Sequence, residues 1–228
     1  MATKPMRAIS DRLNAAQVAI SNTLADAELQ ALVAGFGYTA EKLTAGRQLY
    51  DRALAAVNAQ TAAAGAQQQA TAVLKAAEAS ARDAYQALAQ VARAAFAKDK
   101  AQLAGLGLTG RMPRTTAAFL AAAYTLFDNA AGVAALAAFG YDPARLTGER
   151  AKIAVLDTAN RAQEAAKGAA QQATRDQDAA LAALADWLAQ YLKIARVALR
   201  GKPQLLEKLG ITVRTRKASG KGARSDVS

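Results

Sequence analysis

Lys193, Arg196 and Arg200 stand at i, i+3 and i+7 in the chain. On a helix that spacing puts three cationic groups on one face. Lys202 and then Arg214, Arg216 and Lys217 follow close behind, and Arg93, Lys98, Lys100, Arg111 and Arg114 form a thinner group earlier in the sequence. The chemistry open to such clusters is the holding of anions. Grouped guanidinium and ammonium ions bind phosphate backbones without reading bases. The candidate anion- or nucleic-acid-binding residues are therefore Arg93, Arg111, Lys193, Arg196, Arg200, Lys202, Arg214, Arg216 and Lys217. Aromatic side chains on which bases could stack are sparse around them. Arg93 and Arg196 also suit a plainer role, offsetting the negative end of a helix dipole.

Other chemistry finds little support. The 228 residues include no Cys and no His, which excludes disulfides, thiolate nucleophiles and imidazole acid–base catalysis. Gly105-x-Gly107-x-x-Gly110 matches the dinucleotide-binding fingerprint in form. That motif works between a strand and a helix, whereas here it follows a long helical stretch. Asp83 and Asp186 fall at matching positions of an internal repeat, but Glu78 is matched by Leu181 and Asp99 by Lys202. A carboxylate-bridged metal site in a helical bundle also wants His three positions beyond Glu. The expectation is a protein without catalytic residues, cofactor or metal.

The elements that would position the cations come from a repeat. Phe36-Gly37-Tyr38 recurs as Phe139-Gly140-Tyr141, an offset of 141 − 38 = 103. The same gapless offset aligns Leu43-Thr44 with Leu146-Thr147, and Gln68-Gln69-Ala70-Thr71 with Gln171-Gln172-Ala173-Thr174. It also aligns Arg93 with Arg196, Leu106-Gly107 with Leu209-Gly210, and Arg111 with Arg214. Matched alanines could arise by chance in so Ala-rich a chain, but these rarer residues together could not. The match fades upstream of Gln30 and Val133. Residues 1–111 form the first repeat, 112–213 the second, and 214–228 a basic tail with too little to bury to be ordered.

Each repeat reads as short helices followed by one long helix. Gly37 and Gly140 suit the left-handed position that ends a helix. Asp142-Pro143 reads as a brief capped turn, and Thr44 and Thr147 as N-caps of the long helices. From Thr147 to Arg200 there is no Pro and only two Gly, Gly148 and Gly168, and Thr44–Lys98 matches it with Gly46 and Gly65. The spacing predicts a helix of about 54 residues, roughly 80 Å long at 1.5 Å per residue. Its inner seam is expected at Ala59, Ala62, Ala66, Ala70, Val73, Ala77 and Ala81, and in the second copy at Ala159, Ala162, Ala166, Ala169, Ala173 and Ala180. The fold class is all-α. The two long helices run antiparallel about a pseudo-two-fold axis, with small bundles at the ends and a thin Ala-rich waist. The competing reading breaks each long stretch into a hairpin near Gly65 and Gly168.

Composition sets the remaining bounds. Hydrophobic residues make up 53% of the chain and aromatics 5%, so the core must rely on close backbone approach. The formal net charge is +11, of which the tail from Arg214 supplies 5 − 1 = +4. Such a balance attracts polyanions without selecting one. Met1 to Gln17 lacks the apolar segment of a signal peptide, and Ala117–Phe127 is too short to span a bilayer. These point to a cytoplasmic protein without integral membrane association. A coat on a lipid or polyester granule would need a bulky apolar stripe, which is not evident.

The segments Ile194–Leu199 and Pro203–Ile211, with the Phe-Gly-Tyr and Gln-Gln-Ala-Thr repeats, resemble a recurring feature of uncharacterised bacterial all-helical, internally duplicated proteins. That resemblance implies an all-helical fold over most of the chain and no particular activity. The leading expectation is a non-enzymatic scaffold or interaction protein, with a homo-oligomer or a protein partner. The alternative is a sequence-nonspecific nucleic-acid-associated protein that uses its basic helix ends and tail.

Overall fold

A computed structural model describes the backbone of residues 4–212 and the side chains from Ile9 to Thr212. Every described element is helical. The order is α1 (Lys4–Ala25), α2 (Ala27–Ala34), α3 (Ala40–Ala95), α4 (Lys100–Gly105), α5 (Thr116–Ala130), a 3-10 turn (Ala134–Phe139), α6 (Pro143–Ala198) and α7 (Pro203–Lys208). The tail predicted at 214–228, with Arg214, Arg216 and Lys217, lies outside the described residues.

Both long stretches are single helices of 56 residues, and α6 begins and ends 103 residues after α3. Gly65 and Gly168 lie inside them, so neither hairpin forms. In both, alanine supplies helix propensity that outweighs two glycines, Gly46 and Gly65 in α3 and Gly148 and Gly168 in α6. The caps differ from expectation. α6 starts at Pro143 itself, where Asp142 Oδ1 accepts the Arg145 backbone N–H at 2.7 Å. Thr44 and Thr147 are not caps: each lies one turn inside and donates its hydroxyl to the carbonyl four residues earlier, at 2.9 and 2.8 Å. In α6 a proline already fits the first turn, so that helix needs no later start. Gly37 and Gly140 end the preceding segments at φ +84° and +80°, as expected.

The seam matches expectation only in part: Ala77, Ala81 and Ala159 are buried and Ala70, Ala166, Ala173 and Ala180 half-buried, but the rest differ. Ala59, Ala62, Ala66 and Val73 are exposed. The inward positions of α3 are instead Tyr50, Ala53, Val57, Gln60, Ala64, Gln67, Thr71, Leu74, Glu78, Ala81, Tyr85, Leu88 and Ala92. They alternate three- and four-residue steps without a break, which is a heptad seam. In α6, Ala162 and Ala169 are exposed, while Asn160, Gln163, Ala166, Ala170 and Ala173 are half-buried. Alanine occupies several faces of these helices, so it cannot mark which one is inside. The larger residues of the buried ends, Tyr50, Tyr85 and Leu88, set the phase.

The chain forms two compact units, residues 1–58 with 175–228 and residues 59–174. Each draws on both sequence repeats. In the first, Leu29, Val33, Tyr38, Leu43, Tyr191, Ala195 and Leu199 form one cluster, and Leu13, Ile20, Tyr50, Leu181 and Leu184 another. Here α3 and α6 run antiparallel: Tyr38 donates to Gln190 Oε1 at 3.4 Å, whereas Tyr50 clusters with Leu181 and Leu184. In the second unit, Tyr85, Leu88, Phe119, Leu126, Phe127, Leu136, Ile153 and Leu156 share one core. No residue of α3 over 54–76, or of α6 over 160–176, is fully buried.

One small correspondence locates the shorter helices. Asn22 of α1 donates its amide to the Lys208 carbonyl at 2.6 Å, and Asn129 of α5 does the same to the Gly105 carbonyl. Each satisfies a carbonyl at the C-terminus of a six-residue helix, α7 or α4, that has no partner within the helix.

Candidate anion-binding cleft

The second unit brings Arg93 and Arg111 to one cleft of about 320 Å³, lined also by Tyr85, Gln86, Ala89, Gln90, Gly110 and Met112. Tyr85, Gln86, Ala89, Gln90 and Arg93 lie at i, i+1, i+4, i+5 and i+8, the flank of α3 beside its seam. Residues 110–112, after α4, supply the remaining lining.

That segment is held by Arg82. Its guanidinium pairs with Glu78 Oε1 at 2.7 Å, donates to the Pro113 and Arg114 carbonyls at 3.3 and 3.1 Å, and lies 4.5 Å from the Phe119 ring centre. The Arg82–Glu78 pair is half-buried, so its hydrogen bonds are better shielded than those of a surface ion pair. Arg82 is therefore a positioning residue for the backbone that carries Arg111.

Within the cleft, neither Arg93 nor Arg111 has a carboxylate partner among the described residues, and no carboxylate lines it. The Tyr85 ring is 5% exposed. Trp187 Nε1 is the one fully enclosed side-chain polar atom without a partner among the described residues. The Tyr85 hydroxyl makes no hydrogen bond among the described residues and is not fully enclosed, and Tyr85 lines the cleft. Burial pushes the Tyr85 phenol above its ordinary pKa, and the charge of Arg93 pulls it part of the way back. Gln86 Nε2 approaches Met112 Sδ at 4.0 Å.

The cations of the first unit are more dispersed. Lys193 lines a separate recess with Asp186, Trp187, Ala189 and Gln190. Arg196 is exposed and donates to the Leu192 carbonyl at 3.4 Å, in the last turns of α6. Arg200 is exposed just beyond the helix. Lys202 is tied to Glu28 at 2.5 Å, and the neighbouring Lys208 to Asp26 at 2.8 Å. The hydrogen bond that Lys208 donates to the Asp26 carboxylate lowers the Asp26 pKa and raises the Lys208 pKa. Both lysines thus join α7 to the start of α2.

The charge-based prediction named Arg93 and Arg111 but missed Tyr85, Gln86, Gln90 and Met112. The spacing of Tyr85, Gln86, Gln90 and Arg93 on one helix flank is a signal that could have found three of them. Met112 could not be found so, because the turn after α4 is what brings it back. Gly105-x-Gly107-x-x-Gly110 is the end of α4 and the loop after it: Gly107 takes φ +72° there, and its equivalent Gly210 takes φ +75° after α7. No family model, curated protein or solved structure matches the chain. Among the described residues, no helix is long and apolar enough to cross a membrane.

Proposed function

We propose that the protein is a rigid helical scaffold that associates with copies of itself, as its helical, internally duplicated sequence suggests. The supporting observation is the length of the paired helices. A globular core is served by helices of roughly 10–14 residues, whereas α3 and α6 have 56 each. Much of that length carries a half-buried seam rather than a core. A helix that buries so little beyond its ends is suited to spacing and presenting surfaces.

One such surface lies in the second unit. Val73 and Val155, 51% and 56% exposed, flank an apolar recess of about 400 Å³ with Ala154, Thr158, Ala159 and Ala162. Exposed apolar surface of this kind favours association. Sedimentation velocity over a wide concentration range tests the reading. The expected result is a concentration-dependent dimer or larger species that Val73→Asp with Val155→Asp abolishes. A strict monomer at every concentration refutes it.

A second reading, nonspecific nucleic-acid association, is favoured by Lys193, Arg196 and Arg200, which are exposed and without carboxylate ion pairs among the described residues. Duplex DNA titrated at several salt concentrations, with and without residues 214–228, tests it. Binding should weaken steeply with salt, because phosphate contacts release counterions. No binding at low salt rules it out.

A further inference from the structure

We propose that the Arg93–Arg111 cleft is a binding site for a small molecule bearing a terminal oxyanion, phosphate or carboxylate, on a compact apolar body. Four features lead there. The two guanidinium groups share one concavity and neither is neutralised by a carboxylate among the described residues. Guanidinium forks match the oxygens of both groups in geometry and charge. Tyr85, among the lining residues, has a hydroxyl without a partner among the described residues, and the Gln86 and Gln90 amides add polar groups that can orient a ligand. Ala89, Met112 and the Tyr85 ring offer an apolar wall for the rest of it.

Size and construction favour a small ligand over a polymer. The cleft, about 320 Å³, is at the lower end of the roughly 300–1,000 Å³ typical of small-molecule pockets. Arg82 fixes its wall through two backbone carbonyls, which limits the reorganisation needed on binding. The site is also distinct from the basic end of α6. There the position matching Tyr85 is Leu188 and that matching Gln86 is Ala189, so the same hydrogen-bonding groups are missing.

The experiment is calorimetric titration of the full chain with phenyl phosphate, benzoate, inorganic phosphate and phenol. Phenyl phosphate or benzoate should bind, and whichever is tighter identifies the oxyanion. Inorganic phosphate should bind more weakly, and phenol not detectably. Arg93→Gln and Arg111→Gln should each weaken binding about tenfold, the loss of one charge-assisted contact. Tyr85→Phe keeps the ring and should weaken it about threefold, the loss of one neutral hydrogen bond. Arg200→Gln should leave it unchanged. Both arginines are exposed, so the variants should keep wild-type helicity. No binding by either aryl ligand overturns the proposal. So does equal weakening by Arg200→Gln, which would mean a diffuse positive field, or binding indifferent to Arg93→Gln and Arg111→Gln.

Discussion

Replacing Gly46 by alanine should destabilise the protein, although alanine is the better helix former. Gly46 sits in the second turn of α3, where a Cβ would collide with the Trp187 indole, with Cε2 only 2.6 Å away and two other ring carbons closer. Helix propensity alone would favour Gly46→Ala by about 1 kcal/mol. Against that stands overpacking, about 1–3 kcal/mol where a neighbour must move. The indole is a poor candidate for moving. It stacks on Tyr191 with ring centres 5.2 Å apart and meets Tyr38 edge-on at 5.9 Å. Disturbing both contacts costs about 0.5–1.5 kcal/mol each. The net loss should be about 1–5 kcal/mol. Urea unfolding followed by fluorescence measures it directly, because Trp187 is the single tryptophan of the chain and reports on this cluster. Gly168→Ala is the control: nothing lies within 4 Å of its Cβ, and it should stabilise by about 0.5–1 kcal/mol. In a Trp187→Phe background, followed by circular dichroism because the tryptophan is gone, the smaller ring leaves room and Gly46→Ala should stabilise as the control does. A Gly46→Ala protein that is more stable than wild type would refute the reasoning.

Asn22→Ala and Asn129→Ala should each cost about 1 kcal/mol, because each leaves a helix-end carbonyl without its amide donor; thermal unfolding of the two variants checks this. The seam register predicts that Ala64→Glu destabilises while Ala66→Glu changes stability by less than about 0.5 kcal/mol; equal effects would mean that the seam lies elsewhere. Burial raises the pKa of Tyr38, Tyr85 and Tyr191, so each favours the folded state below the ordinary phenol range, and that contribution is lost as pH rises through the raised values. Tyrosinate absorbance followed with helicity should show these three ionising late and together with loss of structure; complete ionisation of an intact helical protein would contradict it.

The long helices were legible because their signals are local. Alanine content, the lack of proline and the repeated Gly37 and Gly140 stops all act within a few residues of where they are read. The seam was not legible for the same reason. A run such as Ala62-Ala63-Ala64 offers the interior three equivalent faces, and the choice between them is made tens of residues away by Tyr50 and Leu88. The polar seam positions Gln60, Gln67 and Glu78 hide it further, since hydrophobic patterning reads them as surface. The cleft was half legible: its charges stood out, but the backbone lock that gathers them depends on Arg82 reaching Pro113 and Arg114, a contact between segments that no spacing rule connects.

The fading of the repeat upstream of Gln30 has a simple physical origin. Asn22 and Asn129 do the same work but lie 129 − 22 = 107 apart, not 103. At that offset the buried residues Leu13, Ala16, Ala19, Ile20 and Thr23 align with the buried Leu120, Ala123, Leu126, Phe127 and Ala130. The N-caps Asp26 and Val133 align as well. The four-residue difference is taken up between Asp26 and Tyr38, where α2 is an eight-residue helix and its counterpart a six-residue 3-10 turn. Four residues are close to one helical turn, so the change preserves which face of α1 is buried. A gapless comparison loses the match at that point although the architecture continues. The same comparison shows where the copies part in chemistry. Tyr85, Gln86 and Ala89 line the polar cleft, and their counterparts Leu188, Ala189 and Leu192 line an apolar one of about 370 Å³ with Arg12, Leu181, Leu184 and Ala185. At the position of Arg82, the residue that locks the segment carrying Arg111, the second copy has Ala185. The two repeats therefore share helices and helix ends, while corresponding flanks of α3 and α6 differ in polarity. A ligand that needs two arginines and a phenol has only the first of these flanks to use.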